Sequence, residues 1–380
     1  MRRTARTLAV VIWLTAVSCT AASAEPIGIR DHAALSAPRM PTADDTLPGL
    51  HVEGKHLVNA AGETVVLHGV NRAGTEYKCV GGGLPPGGSI FDGPDDAASV
   101  AAIKSWRANA VRIPLNEDCW LAINGVTDDY AGTSYQQAIQ DYVRLLNQNG
   151  LYAILELHWS APGANLAIGQ QAMPDLDHSA TFWSQVAGVF KLNTAVIFDL
   201  FNEPFPDNGA DSPAAWRCWR DGGHCPGVPF EAVGMQVLVD VVRGTGATNV
   251  IALGGLRWSN YLSEWLTYAP NDPLNNLVAA WHVYQGHACS VVTCYGGTVA
   301  PVAAKVPVIA LEIGTDSCDE EFMNSLMKWL DAHDIGYFAW TWNAGSWFSP
   351  ICSEITLISD YSGTPTVYGE IYKTHLSALP

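Results

Sequence analysis

The sequence predicts an α/β fold, a closed (β/α)8 TIM barrel in a single domain with a small N-terminal hairpin. Eight short apolar or β-branched segments recur along the chain with helical segments between them, as in a barrel of strand–helix repeats. Several of these segments are apolar throughout, as parallel strands covered on both faces are. A composition of 48% hydrophobic and 15% charged residues provides a large core and excludes a disordered or fibrous chain. A doubly wound open sheet is the alternative.

Residues 1–24 have the features of a signal peptide. Three arginines precede an apolar run at residues 8–17, and a cleavage site of small residues ends at Ala24, as in exported proteins. The apolar run is too short to span a bilayer, and no later segment is long and apolar enough to do so. We therefore expect a secreted protein; a lipoprotein acylated at Cys19 is the alternative.

The rest of the chain divides into a leader and the barrel. Residues 25–46 lack periodicity and are rich in Ala, Pro, Asp and Thr, which predicts a flexible leader before the barrel domain at residues 47–380. A hairpin with its turn at residues 59–62 opens that domain. The predicted barrel strands are residues 65–70, 110–113, 152–157, 196–201, 250–253, 277–281, 306–311 and 336–340. The predicted helices are residues 97–106, 135–148, 180–190, 230–243, 261–268 and 320–333.

The charge of the chain excludes some classes of partner. Lys and Arg number 20 against 37 Asp and Glu, giving a formal net charge of −17. Such a chain repels phosphate groups, so neither nucleic acid nor an anionic membrane surface is expected as a partner.

Polar and aromatic residues collect at the carboxyl ends of the predicted strands, where the active sites of such barrels lie. In chain order they are Arg112, His158, Trp159, Asn202, Glu203, His282, Tyr284, Glu312, Trp340 and Trp342. A barrel with a purely structural role has no reason to gather these residues on one rim.

The segment Asn202-Glu203-Pro204 after a strand, with Glu312 at the end of strand seven, resembles glycoside hydrolase family 5, the cellulase-like retaining β-glycosidases of clan A. The resemblance implies that Glu203 is the acid/base and Glu312 the nucleophile. It also implies that further residues line the sugar-binding subsites, namely Arg112, His158, Asn202, His282, Tyr284 and Trp340.

Two carboxyl groups suit glycosidic-bond cleavage for a reason independent of this resemblance. The leaving oxygen needs a proton while positive charge develops on the sugar, so one carboxyl must be neutral and the other ionised. Arg112 near Glu312 would favour the charged form of Glu312, whose charge would raise the pKa of Glu203. The flat faces of Trp340, and of Trp159 or Trp342, suit the apolar face of a sugar ring.

Structural roles stay open for single residues. Glu203, which precedes a proline, could cap a helix, and Arg112 could neutralise a buried acid such as Asp199. His158 and His282 could be hydrogen-bonded core histidines. Core packing is the expected role of the Trp residues outside the strand ends, namely Trp106, Trp258, Trp265 and Trp329.

Without Cys19 the chain has eight cysteines, and an even number in an exported protein predicts disulfide bonds. In the barrel layout, two of the pairs join neighbouring rim loops and two are local to one loop. The predicted pairs are Cys79–Cys119, Cys218–Cys225, Cys289–Cys294 and Cys318–Cys352. Zinc bound by the local pairs, beside His224 or His287, is the alternative.

Together these features predict a retaining β-glycosidase that is secreted, monomeric and free of cofactors or metals. The expected activity is that of an endo-β-1,4-glucanase on an oligo- or polysaccharide. A diglycosidase that releases a disaccharide such as rutinose from flavonoid glycosides is the alternative within the class. A non-catalytic carbohydrate-binding barrel is the alternative of another class, although a binder needs no acid and nucleophile together.

Overall fold

The structure, a computed structural model, describes residues 47–81, 89–344 and 355–380. The predicted signal peptide, the predicted leader, Cys19 and Cys352 lie outside these residues. Within the described ranges, no helix combines the length and the apolar character needed to cross a membrane.

The strands are β1 (Leu50–Glu53), β2 (His56–Asn59), β3 (His68–Asn71), β4 (Ala110–Asn116), β5 (Tyr152–Trp159), β6 (Val196–Asp199), β7 (Gly222–His224), β8 (Glu231–Val233), β9 (Ile251–Gly254), β10 (Leu277–Tyr284), β11 (Val308–Gly314), β12 (Gly336–Ala339), β13 (Ile358–Asp360) and β14 (Thr364–Pro365). The α-helices are α1 (Ala97–Ser105), α2 (Glu117–Leu121), α3 (Thr133–Gln148), α4 (Ser179–Phe190), α5 (Pro206–Gly209), α6 (Pro213–Asp221), α7 (Met235–Gly244), α8 (Leu256–Ser259), α9 (Trp265–Tyr268), α10 (Val292–Thr298), α11 (Ala300–Ala303), α12 (Glu320–Asp331) and α13 (Val367–Ala378).

Eight parallel strands close into a barrel in the order β3, β4, β5, β6, β9, β10, β11 and β12. The closure is the pairing of β12 with β3, which places Phe338 opposite Gly69. A Cβ atom at Gly69 would lie 2.3 Å from the Phe338 ring, so glycine is required at this closure. The predicted closed barrel is confirmed. An open sheet would have two unpaired edge strands, whereas here β12 pairs with β3, so the open-sheet alternative is excluded.

The interior of the barrel is apolar at its amino end. Alternate residues of a strand share a face. The residues that face the barrel interior near the amino ends of the strands form one buried apolar cluster. It includes Leu67, Ala110, Ile154, Ile197, Ala252, Ile309 and Phe338. Leu50 and Leu57 of the β1–β2 hairpin belong to the same cluster. The hairpin therefore closes this end of the barrel and leaves the carboxyl end for polar groups.

The predicted N-terminal hairpin is confirmed, but its turn lies elsewhere. Strands β1 and β2 pair so that Glu53 faces His56, and Gly54 at the turn has a φ of +61°, which glycine adopts without a steric cost. The predicted turn at residues 59–62 is also present, because Asn59 Oδ1 accepts hydrogen bonds from the backbone N–H groups of Ala61 and Glu63. This second turn follows β2, whereas the turn that joins β1 to β2 lies between Glu53 and His56.

Two predicted helices are shorter than expected. The helix predicted at residues 230–243 begins at Met235, because β8 pairs with β7 as a small antiparallel hairpin. The helix predicted at residues 261–268 is reduced to the single turn α9, because Tyr261 forms a β-bridge with Leu256 instead. The C-terminal helix α13, which the sequence analysis did not predict, begins where Thr366 accepts a hydrogen bond from Gly369 N–H.

Three of the four predicted disulfide bonds are present, namely Cys79–Cys119, Cys218–Cys225 and Cys289–Cys294. Cys318 is also disulfide-bonded, but its predicted partner, Cys352, lies outside the described residues. The zinc alternative for the two local pairs is wrong, because their sulfur atoms are bonded to each other and are not thiolate ligands.

Loss of the Cys79–Cys119 bond is expected to destabilise the protein most among these three. In the chain-entropy model, a separation of 40 residues corresponds to about 4 kcal/mol, whereas separations of 7 and 5 residues correspond to about 2 kcal/mol. Urea unfolding should give Cys79→Ser/Cys119→Ser about twice the loss of unfolding free energy of Cys289→Ser/Cys294→Ser. Equal losses would contradict this ranking.

Candidate active site

Arg112 lies at the centre of the polar end of the barrel. It sits on β4 and is fully buried. Its Nε and Nη2 donate to Asp199 Oδ2 at 3.0 and 2.9 Å, and Nη2 also donates to Asn202 Oδ1 at 2.9 Å. Its Nη1 donates to Asn71 Oδ1 at 2.9 Å and to Glu312 Oε1 at 2.7 Å. One guanidinium on β4 thus binds groups from three other strands of the barrel, namely β3, β6 with the residues just after it, and β11.

Carboxylates surround this cation. Burial alone would lower the pKa of Arg112, but Glu156, Asp199 and Glu312 raise it above its ordinary value. Removing a charge from water is costly unless partners compensate for it, and here they do. Arg112 therefore pairs with Asp199, in agreement with the alternative that it neutralises a buried acid. It also contacts Glu312, in agreement with the prediction that it lies near that glutamate.

Glu312 is held on both of its carboxyl oxygens. Arg112 Nη1 donates to Oε1, and the Tyr284 hydroxyl donates to Oε2 at 2.6 Å. The register between β10 and β11 shifts so that Trp281 faces Ala310 while His282 faces Glu312. Such a bulge re-aims the side chains that follow it, and here both Leu311 and Glu312 come to contact groups inside the barrel. Arg112 and Tyr284 together therefore hold the Glu312 carboxyl group in one orientation.

Glu203 follows β6 and lies in a different environment. Its Oε1 is 2.9 Å from His282 Nδ1, and its Oε2 accepts a hydrogen bond from Gln170 Nε2 at 2.8 Å. Burial raises the pKa of Glu203 and lowers the pKa of His282 to about 3. His282 is therefore neutral at neutral pH. The direction of the shift at Glu203 agrees with the sequence prediction, but its main cause is burial and not the charge of Glu312.

The two glutamates are neighbours. An oxygen of Glu203 and an oxygen of Glu312 lie within 4.8 Å of each other and of a ring nitrogen of His282. Such a group could in principle hold a metal ion, but Arg112 already donates to Glu312 Oε1 at 2.7 Å, and a cation there would face the guanidinium. The arrangement instead gives one protonatable carboxyl beside one carboxylate, which is the chemistry of a proton donor and a nucleophile.

His158 and Trp340 form a stacked pair at the mouth of this network. Their ring centroids are 5.4 Å apart with an interplanar angle of 16°, and Trp340 is partly exposed. His158 Nδ1 lies 3.0 Å from Glu156 Oε2. Burial would lower the pKa of His158, but Glu156 raises it, to about 9. His158 is therefore a cation at neutral pH and not a neutral core histidine.

The structure separates the predicted aromatic residues. Trp159 is partly exposed, with its ring 6.3 Å from that of Tyr77. Trp342 is fully buried and packs edge-on against Trp106 at 4.8 Å. The prediction that Trp342 binds substrate is therefore wrong, because its side chain turns into the helical layer and offers no face to a ligand.

Three residues of the site were not predicted. Trp258, assigned to core packing, is 38% exposed and stacks on Phe205 with ring centroids 4.9 Å apart. It lies just after β9, and Asn71 ends β3, so the strand-end rule could have found both. Gln170 lies in the long loop after β5, and nothing in the local sequence distinguishes it from Gln171.

Comparisons with known proteins identify the family of this chain. The family model described as Cellulase (glycosyl hydrolase family 5) matches residues 58–346. Endoglucanase CelA of Streptomyces lividans is 26% identical over 344 residues, covering 86% of this chain and 64% of that protein. A mannan endo-1,4-beta-mannosidase of Salipaludibacillus agaradhaerens is 23% identical over 310 residues, covering 78% of this chain and 82% of that protein.

The fold has similar solved structures. The crystal structure of beta-glucanase SdGluc5_26A from Saccharophagus degradans in complex with cellotetraose has a TM-score of 0.65 and 19% sequence identity, covering 92% of this chain and 99% of that one. This likeness concerns the fold alone. The chain spans less than two thirds of the Streptomyces endoglucanase, at 64% of its length.

We expect the ionisation of His158 to make stability depend on pH. Its folded pKa of about 9 exceeds the ordinary value of about 6.5. Its contribution is therefore complete below about pH 6.5 and is lost as the pH rises to about 9. In urea unfolding across this range, His158→Gln should show a decline in unfolding free energy smaller than that of the wild type by about 3 kcal/mol. The exposed His224→Gln should keep the wild-type decline, and an unchanged decline in His158→Gln would refute the assignment.

Proposed function

The chain belongs to the cellulase family, glycosyl hydrolase family 5, and from that premise we propose that it is an endo-β-1,4-glucanase acting with retention of configuration. The proposal that configuration is retained rests on one observation. Oxygens of Glu203 and Glu312 lie within 4.8 Å of each other. Retaining enzymes place their carboxyl groups about 5–5.5 Å apart, whereas inverting enzymes need about 6.5–9.5 Å to admit a water molecule.

In the first step, Glu312 Oε attacks the anomeric carbon while Glu203 protonates the leaving glycosidic oxygen. The bond between the anomeric carbon and that oxygen breaks, and a glycosyl ester of Glu312 forms. In the second step, Glu203 accepts a proton from water, which displaces Glu312 from the anomeric carbon. The raised pKa of Glu203 supports the acid role, because it keeps the carboxyl protonated at a higher pH than an ordinary glutamate.

The neighbours of the two glutamates support specific parts in this reaction. Arg112 and Tyr284 hold the Glu312 carboxylate in one orientation, which favours attack from a fixed position. Asn202 Oδ1 accepts from Arg112, so the amide nitrogen of Asn202 is the end that can donate to a sugar hydroxyl. The partly exposed ring of Trp340 offers a flat apolar face to a sugar on the donor side.

Trp258 supports binding on the other side of the scissile bond. Its backbone N–H donates to Pro204 O at 3.1 Å, which places it beside the residue that follows Glu203. The exposed ring stacked on Phe205 presents an aromatic face where the leaving sugar would lie. Sugar rings pack their apolar C–H faces on such rings, so we assign Trp258 to the leaving-group side.

Relatives and sequence support the remaining parts of the proposal. The named relatives include an endoglucanase and a mannan endo-1,4-beta-mannosidase. The name of the second specifies a β-1,4 linkage, and we propose a β-1,4-linked glucan as the substrate of this chain. The signal-peptide features of residues 1–24 and the disulfide bonds favour a secreted enzyme. We expect it to work as a monomer and without a cofactor.

A substrate panel tests the proposed activity. The enzyme should release cello-oligosaccharides from carboxymethylcellulose and barley β-glucan, with the β-anomer appearing first by NMR, and mass spectrometry should identify the products. Glu312→Ala should lose about 10⁴-fold in activity, because no other group can form the covalent intermediate. Glu203→Ala should lose far more on unactivated glycosides than on activated aryl glycosides, and added azide should restore turnover.

Other results of that panel would change the proposal. Release of rutinose from a flavonoid rutinoside would favour the diglycosidase, and hydrolysis of mannan alone would favour a mannanase. Binding of glucans with no product from any substrate would favour the carbohydrate-binding barrel. An α-anomer as the first product would contradict retention.

The aromatic assignments make a separate prediction. Trp258→Ala should lower kcat/KM for cellopentaose by about fivefold to tenfold, as expected for one lost stacking contact, and should leave the melting temperature near that of the wild type. Trp342→Ala should instead destabilise the protein by about 3–5 kcal/mol, because it empties a fully packed site. Steady-state kinetics on cellopentaose and thermal unfolding separate the two variants, and the reverse pattern would refute both assignments.

A further inference from the structure

Gln170 contacts the proposed acid/base from a different part of the chain. It lies in the loop at residues 160–178, between β5 and α4. Its Nε2 is 2.8 Å from Glu203 Oε2 and 3.3 Å from the main-chain oxygen of Glu203. A main-chain oxygen can only accept a hydrogen bond, so the NH2 end of the Gln170 carboxamide faces Glu203.

Backbone contacts fix this loop on both sides of Gln170. On one side, Ala167 N–H donates to Asp118 Oδ2 at 2.8 Å. On the other side, Ala172 O accepts from Phe205 N–H at 2.9 Å, and Phe205 lies two residues beyond the acid/base. The loop that carries Gln170 and the segment after Glu203 are therefore joined by a backbone hydrogen bond as well as by the contact of Gln170 with Glu203. This second link restricts the positions that Gln170 can adopt.

The far end of the loop is held by two buried acids. The Ser179 hydroxyl lies 2.7 Å from Glu117 Oε2 and 3.1 Å from Asp175 Oδ2. A hydroxyl has one proton to donate, so it cannot donate to both carboxylates at once, and burial raises the pKa of Glu117 well above its usual range. A protonated Glu117 removes the repulsion between the two acids, and the loop is thereby tied to α2 and α4.

We propose that Gln170 is a positioning residue of the reaction, whose carboxamide holds the Glu203 carboxyl in place against His282 through both protonation states. The inference rests on the proposed function, since it assigns Gln170 a part in the same reaction. Among the described residues, the side chains hydrogen-bonded to the Glu203 carboxyl are Gln170, which donates, and His282. Gln170 is the one of the two that cannot change its own charge.

The donor character of Gln170 gives it a second effect. An N–H donor stabilises the carboxylate of Glu203 and so lowers its pKa, opposing the effect of burial. Because an amide NH2 accepts no hydrogen bond, the acidic proton of Glu203 is not held by Gln170 and stays available for transfer. The other titratable and charged groups around Glu203 are Arg112, His158, His282, Tyr284, His287 and Glu312.

The test compares Gln170→Ala with Gln171→Ala, a substitution of the same kind at the next residue of the loop. The substrates are cellotetraose and 2,4-dinitrophenyl β-cellobioside, whose leaving group needs no protonation. We expect Gln170→Ala to lower kcat/KM by about tenfold on cellotetraose and by less than about threefold on the aryl glycoside, because a misplaced acid slows proton transfer. The alkaline limb of the kcat/KM profile should shift upward by about half a pH unit or more.

A second variant covers the case in which Gln170→Ala does not fold. Gln170→Glu keeps the size of the side chain and places a carboxyl beside Glu203, so the alkaline limb should move upward further than in Gln170→Ala. Gln171→Ala should behave as the wild type. Equal losses on both substrates with an unchanged alkaline limb in the Gln170 variants would overturn the inference. Failure of the wild type to cleave any glucan, or full activity of Glu203→Ala, would instead overturn the proposed function.

Discussion

The buried guanidinium of Arg112 is the interaction on which the rest of this site depends. It sits inside a closed barrel with no access to water, and a buried cation is tolerated only when acceptors surround it. Those acceptors are Asn71 on β3, Asp199 on β6, Asn202 just after β6 and Glu312 on β11, and these three strands are not neighbours in the barrel wall. The barrel has to close to bring them together, and once they are together the orientation of Glu312 is fixed.

The same barrel gives different surroundings to two glutamates that lie side by side. Glu312 accepts hydrogen bonds from a cation and a phenol, whereas Glu203 contacts a neutral imidazole and a carboxamide. Burial accounts for this contrast, because it keeps His282 uncharged and raises the pKa of Glu203. These different surroundings suit the roles proposed here, Glu203 as the proton donor and Glu312 as the nucleophile.

The strands of the barrel and the segments between them contribute different parts of the site. The strands supply the apolar amino end, closed by the hairpin, and the polar groups of the carboxyl end. The loops supply what surrounds the reacting bond, with Trp258 after β9 and Gln170 after β5. The three described disulfide bonds all lie in segments between consecutive barrel strands, so they restrain parts of the molecule that the pairing of the barrel strands does not hold.

The sequence by itself determined the barrel, the strand ends and most of the residues gathered there. Apolar segments of strand length alternate with helical ones, and parallel strands align their carboxyl ends, so Glu203, Glu312 and Arg112 could be placed without a structure. Only the tertiary structure decided that Trp342 packs against Trp106 while Trp258 stays exposed, since both follow strands and differ only in what packs over them. It also decided the contact between Gln170 and Glu203 and the neutral state of His282. These depend on distances between segments far apart in the chain and on exclusion from water, neither of which is written in local sequence.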